Sequence, residues 1–242
     1  MIVDKTRKVI FLHNPKSGGT FLRNIYKEKY GESEATVWWN PYTRKNGTDL
    51  GHISYNDLPR FVPGWEEYRL LVMIRNPYNR FYSSVKELKG QHYYPARKYK
   101  LFSVPRFKQA EFQEWNVIRK WYELIRWACP GFRSGGLKRM LVLPEKEWAR
   151  KLCSLSRSRQ NFFLRNKRYP WLNPQSDFTG EGVEILHYES ERDWCILLDA
   201  FGLSDYSDRV SIAKEYEISA QDRIMIERLY PEDASLFLPY KV

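Results

Sequence analysis

Cysteine is scarce in this chain, with Cys129, Cys153 and Cys195 the three among 242 residues. The count is odd, the spacings are wide, and neither a C-x-x-C pair nor a Cys/His cluster accompanies them. A disulfide framework and a structural zinc site are therefore both excluded as organising devices, no metal is expected, and a reducing compartment is the expectation. Long apolar runs are missing too. The opening Met-Ile-Val-Asp-Lys-Thr-Arg-Lys lacks the apolar core of a secretory leader, and no stretch reaches the ~18–20 apolar residues of a membrane span. The expected protein is soluble and cytoplasmic, with no membrane span. Internal repeats and low-complexity blocks are absent as well, which argues against solenoids and disordered linkers.

Acidic residues are outnumbered, 29 Asp plus Glu against 40 Lys plus Arg, for a formal net charge of +11. Such a surface attracts polyanions: nucleic acid, acidic glycans, a membrane surface or a multiply phosphorylated small molecule. The charge is dispersed and no nucleic-acid-binding module is recognisable, so nucleic acid is not an expected partner. With 43% hydrophobic and 16% aromatic residues the chain has material for a core, and a polypeptide this long buries roughly 70–75% of its unfolded surface.

Val9-Ile-Phe-Leu12 is a short apolar run that stops at Asn14-Pro15 and passes through Ser17-Gly18-Gly19 into a segment with Phe21, Leu22, Ile25 and Tyr26 at helical spacing. This reads as strand, glycine loop, helix. Thr36–Trp39 is a possible second strand, and Asp57–Val62 a short helix. Tyr68 to Ile74 is the clearest buried parallel strand, leading through a proline turn into a helix from about Asn79 or Arg80. Residues 89–110 are basic and aromatic and read as a surface excursion, and Phe112–Cys129 as a helix with a core-facing stripe. Leu137–Leu143 is expected to be a strand, Glu145–Leu155 a helix, Glu184–Tyr188 a strand, and Trp194–Phe201 and Ser219–Tyr230 helices. Strands alternating with helices predict an α/β fold: a single domain over residues 1–242 with a mostly parallel central sheet flanked by helices.

Chemistry concentrates in two strand-to-helix turns. In His13-Asn-Pro-Lys16-Ser17-Gly18-Gly19-Thr20, two glycines let backbone N–H groups curl round an anion. The helix N-terminus adds its dipole, and Lys16 a point charge. Lys16 precedes the glycines, so the loop fits neither G-x-x-x-x-G-K-[ST] nor G-x-G-x-x-G. The second turn, Arg75-Asn-Pro-Tyr-Asn-Arg80-Phe-Tyr-Ser83, ends a buried strand with Arg75 and spaces Arg80 and Ser83 to share a helix face, which suits a second phosphate.

Pro15-Lys-Ser-Gly-Gly-Thr20 resembles the 5′-phosphosulfate loop of sulfotransferases, and Arg75-Asn-Pro-x-x-Arg80-x-x-Ser83 resembles their 3′-phosphate motif. Trp171-Leu-Asn-Pro174-Gln175, Val183–Glu189 and Ile226-x-x-Leu-Tyr230-x-x-Asp233 resemble the carbohydrate branch that includes heparan sulfate 2-O-sulfotransferases. Asn76 stands where many members have Asp, Val85 where a Tyr often follows the Ser, and Asn173 where the Arg-Pro-Gln pattern has Arg. The resemblance implies a P-loop-like sulfotransferase fold and the donor 3′-phosphoadenosine 5′-phosphosulfate (PAPS), which leaves as PAP. It places Lys16, Ser17, Gly18, Gly19, Thr20, Arg75 and Ser83 at the donor.

In-line sulfuryl transfer needs a cation at the leaving oxygen and a base for the acceptor hydroxyl, as phosphoryl transfer does. Lys16 is the expected leaving-group stabiliser. His52 follows Gly51 and lies between the two motifs, where the 2-O-sulfotransferase-like branch carries a catalytic His; the resemblance thus implies His52 as the base, and a His titrates near working pH. Asp49, Asp57, Glu66 and Glu67 are the fallback carboxylates. His13 is expected to be structural support, and neither His92 nor His187 catalytic. Trp38, Trp39, Tyr42, Arg44 and Lys45, and Tyr93, Tyr94, Arg97 and Lys98, are candidates for an acceptor wall. The expected acceptor is a hydroxyl compound, a carbohydrate with acidic glycans among the candidates. A peptide tyrosine or a small metabolite stays open, followed by a P-loop-type phosphotransferase and a nucleic-acid-binding module.

Overall fold

A computed structural model describes residues 1–31, 36–38, 44–45, 48–92, 140, 143–166 and 170–240. Its centre is a five-stranded sheet in the order β3-β1-β2-β6-β7, built from β1 (Ile2–Asp4), β2 (Val9–Leu12), β3 (Thr36–Trp38), β6 (Arg69–Ile74) and β7 (Val183–His187). β4 (Arg44–Lys45) and β5 (Thr48–Asp49) form a separate antiparallel pair. β2 pairs parallel with β6, and β6 with β7, in the registers Leu12↔Val72 and Ile74↔His187. β1 is antiparallel to both β2 and β3, so four of the five strands point the same way. The α/β architecture with a mostly parallel sheet is as expected.

The central strands carry near-continuous apolar runs because both faces are covered. Phe11, Leu71, Met73 and Leu186 pack on one face with Leu22, Ile25, Trp194 and Leu198. Ile10, Leu12, Leu70 and Val72 pack on the other with Leu50, Ile53, Leu58 and Phe178. The covering helices are α1 (Gly19–Tyr30), α2 (Leu58–Phe61) and, further along the chain, α6 (Glu191–Ala200). A third cluster joins α3 (Pro77–His92) to α4 (Trp148–Cys153), α5 (Arg157–Leu164) and α7 (Ala220–Leu229) through Phe81, Val85, Trp148, Leu164, Ile226 and Leu229.

Several elements differ from expectation. β1 lies in a segment read only for its lack of a leader. Its Asp4 is buried yet satisfied, accepting from the Arg7 N–H, the Arg7 guanidinium and the Tyr26 hydroxyl. The α3 helix starts at Pro77, earlier than expected, because Asn76 Oδ1 accepts from the N–H groups of Tyr78 and Asn79 at 3.1 and 3.3 Å and so caps it. Met140 is helical and Leu143 lies in a bend, so neither belongs to the expected Leu137–Leu143 strand, whose other residues lie outside the described ones. The expected helix from Glu145 is a 3₁₀ turn, Glu145–Glu147, before α4. The Arg157–Leu164 helix was not anticipated, its polar sequence giving little periodic signal. The 93–110 part of the excursion and the 112–129 helix lie outside the described residues. So do the side chains suggested as acceptor walls (Trp38, Trp39, Tyr42, Arg44 and Lys45; Tyr93, Tyr94, Arg97 and Lys98) and that of His92. Among the described residues, no helix is long and apolar enough to cross a membrane.

Candidate functional site

Parallel pairing sets the carboxyl ends of β2, β6 and β7 side by side, where α/β sheets place their ligands. His13–Gly18, Arg75-Asn76 and Tyr188-Glu189 emerge there, and each becomes part of one hydrogen-bonded frame.

The loop after β2 is shaped by two left-handed residues, Lys16 at φ 67° and Gly18 at φ 85°. A non-glycine residue pays a steric cost in this region, and the alternation with Ser17 is the backbone habit of an anion nest. Gly18 is the N-cap of α1 and offers no side chain to its amides, and the first turn of α1 holds no acidic residue. Thr20, exposed in that turn, is therefore not the cap. Among the described residues nothing accepts from the N–H groups of Lys16, Ser17 or Gly18. The two glycines serve different needs. A Cβ at Gly18 would lie 2.4 Å from the Trp194 ring, in a conformation that already disfavours side chains, whereas a Cβ at Gly19 would lie 2.0 Å from His13 Cδ2. Gly19 has no left-handed φ, so it supplies room rather than conformational freedom.

Behind the loop, Asn14 Nδ2 donates towards Ser17 Oγ, the Met73 carbonyl and Gln175 Oε1. Gln175 also accepts from the Arg75 N–H at 3.0 Å and donates to the Arg75 carbonyl at 2.8 Å. Asp233 in turn accepts from the N–H groups of Gln175 and Ser176, both at 2.9 Å. Gln175 is thus the bolt between the two turns. In isolation its sequence carried no chemical signal, and only its place in the Pro174-Gln175 pattern marked it. Asn173, which replaces an Arg of that pattern, accepts from the Asn166 N–H and donates to Asp177.

Arg75 is 5% exposed, with its guanidinium carbon 4.6 Å from the centre of the Tyr188 ring. Its Nη1 donates to the Lys16 carbonyl at 3.2 Å, while its Nε is buried without a partner. A buried guanidinium donor left unpaired beside a loop of open amides is what an anion site offers. Glu189 secures the start of α3 by accepting from the Asn76 N–H, and it accepts from the Tyr240 hydroxyl as well.

Arg80 corrects the expectation that it shares a phosphate-facing surface with Ser83. Its guanidinium is fully buried and donates to the carbonyls of Pro15 and Asn173, at 3.2 and 2.6 Å, with a longer contact to Trp171. It braces the loop from behind. Ser83 is half-buried on the second turn of α3, and among the described residues no contact joins it to Arg75. Lys16 Nζ pairs with Glu87 of α3, and Ser17 is wholly buried.

His52 closes the 3₁₀ turn Leu50–His52 after β5 and is 7% exposed. Its Nδ1 faces Asp49 Oδ2 at 3.4 Å, and Asp49 is itself held by the Gly51 N–H. An Nδ1–H directed at Asp49 leaves the lone pair on Nε2. Burial holds the imidazole below its ordinary pKa of 6.5, against the pull of Asp49. The ring is therefore neutral at pH 7 and free to accept a proton. The His13 ring lies 4.4 Å from that of His52, a pairing that residue-by-residue reading of the sequence did not foresee. His52 also lines a cleft of about 210 Å³ together with Thr48, Ser54, Asn56, Asp57, Arg165, Asn173 and Asp177 and the apolar Pro170 and Phe178.

Of the fallback carboxylates, Asp57 shares this cleft and accepts from the Ser54 hydroxyl. Asp49 stands behind His52. Glu66 and Glu67 are exposed, and Glu67 pairs with Lys8. His187 pairs with Asp193 at the start of α6. Cys153 and Cys195 are both free thiols. Compared with protein-family models, with curated proteins and with solved structures, the chain finds no match.

Proposed function

We propose that the chain is a sulfotransferase that moves the sulfuryl group of PAPS to an acceptor hydroxyl. The observation that carries this reading is the buried Arg75 guanidinium, whose Nη1 donates to the Lys16 carbonyl while its Nε has no partner, beside a left-handed loop whose amides are open. That arrangement suits a ligand with anionic groups at two places, and the donor has both a 5′-phosphosulfate and a 3′-phosphate. In this reading the loop amides and Lys16 hold the phosphosulfate, and Arg75 holds the 3′-phosphate together with Ser83 of α3.

The reaction then follows from charge and proton accounting. The acceptor oxygen attacks sulfur in line, the new O–S bond forms as the S–O bond to the 5′-phosphate breaks, and PAP departs. His52 Nε2 takes the acceptor proton while Asp49 supports the resulting imidazolium. Lys16 and the amides stabilise the charge growing on the leaving oxygen. No step requires a metal. The cleft beside His52 sets hydroxyl, amide, carboxylate and guanidinium groups beside the apolar Pro170 and Phe178, a mixed wall that fits an acceptor with both hydroxyls and an apolar ring face, such as a carbohydrate.

The test is transfer of label from [³⁵S]PAPS to pooled sugars, phenols and tyrosine peptides, together with calorimetric titration of PAP. Label transferred to one pool with PAP binding supports the reading. Failure of PAP to bind at millimolar concentration, with ATP-Mg or an oligonucleotide binding instead, overturns it in favour of a phosphotransferase or a nucleic-acid module.

A further inference from the structure

His13 directly follows β2, is 3% exposed, and sits between two other parts of the site. On one side its ring occupies the space that a Cβ on Gly19 would need, within 2.0 Å of Cδ2 and 2.2 Å of Nε2. On the other side its ring centre lies 4.4 Å from that of His52, at an interplanar angle of 40°. A rigid aromatic wedge thus separates the first residue of α1 from the residue assigned as base.

We propose that His13 is a positioning residue whose ring, packed between the Gly19 backbone and the His52 ring, holds His52 in place and keeps water from it. This rests on the assignment of His52 as base. His13 touches no reacting atom in this role. Its contribution is to fix the ring whose Nε2 receives the proton, and a ring displaced by about 1 Å from a productive geometry can cost up to 10²-fold in rate. The same wedge sets the electrostatics. Burial and the neighbouring His52 hold His13 well below its ordinary pKa, so it stays uncharged while His52 cycles. The other titratable or charged groups facing the pair are Asp49, Arg23 on α1, Lys16 and the Met1 amino group, whose pKa burial pushes down to about 4, which keeps it neutral at working pH.

Two variants separate shape from charge. His13→Phe keeps a ring in the wedge and removes both nitrogens, and His13→Ala removes the ring. The measurements are PAP affinity by calorimetry, kcat against pH, and titration of the His52 ring protons by NMR. The third readout does not depend on activity. His13→Ala should keep PAP affinity within about threefold and lower kcat by ~10–10²-fold. Water admitted by the lost ring should raise the His52 titration midpoint by ~0.5 unit or more, moving the acidic limb of the rate profile upward. His13→Phe should restore most of kcat and leave the midpoint near that of wild type.

Unchanged kcat and unchanged His52 titration in His13→Ala would overturn the inference, as would a His13→Phe variant as impaired as His13→Ala. If His13→Ala does not fold, His13→Phe against wild type still decides, because loss of turnover there assigns the role to the nitrogens and not to the wedge. Failure of wild type to bind PAP would instead remove the donor reading, and the NMR titration would still judge the wedge.

Discussion

Lys16 Nζ meets Glu87 Oε2 at 3.1 Å, tying the loop after β2 to α3. Each side chain keeps about a third of its exposure, 30% for both. An ion pair this accessible contributes little, on the order of 0–1 kcal/mol. It is thus weak enough for a phosphosulfate to displace Glu87 from Lys16. Removing the competing carboxylate should therefore help the donor. Glu87→Gln is expected to tighten PAP about two- to fivefold, less so at high salt. Calorimetry in 50 and 500 mM salt checks this, and unaltered or weaker binding at low salt would show that Lys16 does not leave Glu87 for the ligand.

Lys16→Ala removes a cation where charge develops in the transition state, and should cost at least ~100-fold in turnover. The left-handed conformation at this position disfavours alanine as well, so the comparison with Lys16→Gly, which relieves that strain, isolates the charge. Turnover near wild type in either variant would sink the role given to Lys16.

Arg75→Ala should weaken PAP by roughly 2–3 kcal/mol while changing the affinity for adenosine 5′-phosphate far less, because a charge-assisted contact to the 3′-phosphate is lost. Paired titrations give the answer. Equal losses for the two nucleotides would assign Arg75 to the frame, through its contacts with Lys16 and Tyr188, and not to the ligand.

Much of this frame was legible in the sequence, for physical reasons that differ by element. β2 and β6 announced themselves because strands buried on both faces are written as unbroken apolar runs. The loop between β2 and α1 was legible because only a few residue types allow such a turn. The separate duties of Gly18 and Gly19 were not, since one is set by the Trp194 ring and the other by His13. Helical spacing put Arg80 on a face shared with Ser83, but spacing along a helix does not say what covers that face. Here the carbonyls of Pro15 and Asn173 do. The contact of His13 with His52 joins two segments 39 positions apart, and no local pattern encodes such a pairing.

His52 gives the last prediction, in two parts that share one cause. Burial lowers the pKa of both His52 and His13 in the folded chain relative to the ordinary 6.5. Above pH 6.5 both rings are neutral folded or unfolded and cost nothing. As pH falls below 6.5 the unfolded chain takes up protons that the folded chain refuses, so stability declines on the acid side. Tm should therefore drop between about pH 6.5 and 5, and the slope should flatten in His52→Ala. In catalysis the same variant should keep PAP affinity, lose about 10²–10⁴-fold in kcat, and lose the acidic limb of the rate profile. Asp57→Asn, in the same cleft, is the control. A dead Asp57→Asn beside a fully active His52→Ala would make the base a carboxylate, and a Tm slope unchanged by His52→Ala would place the acid sensitivity elsewhere.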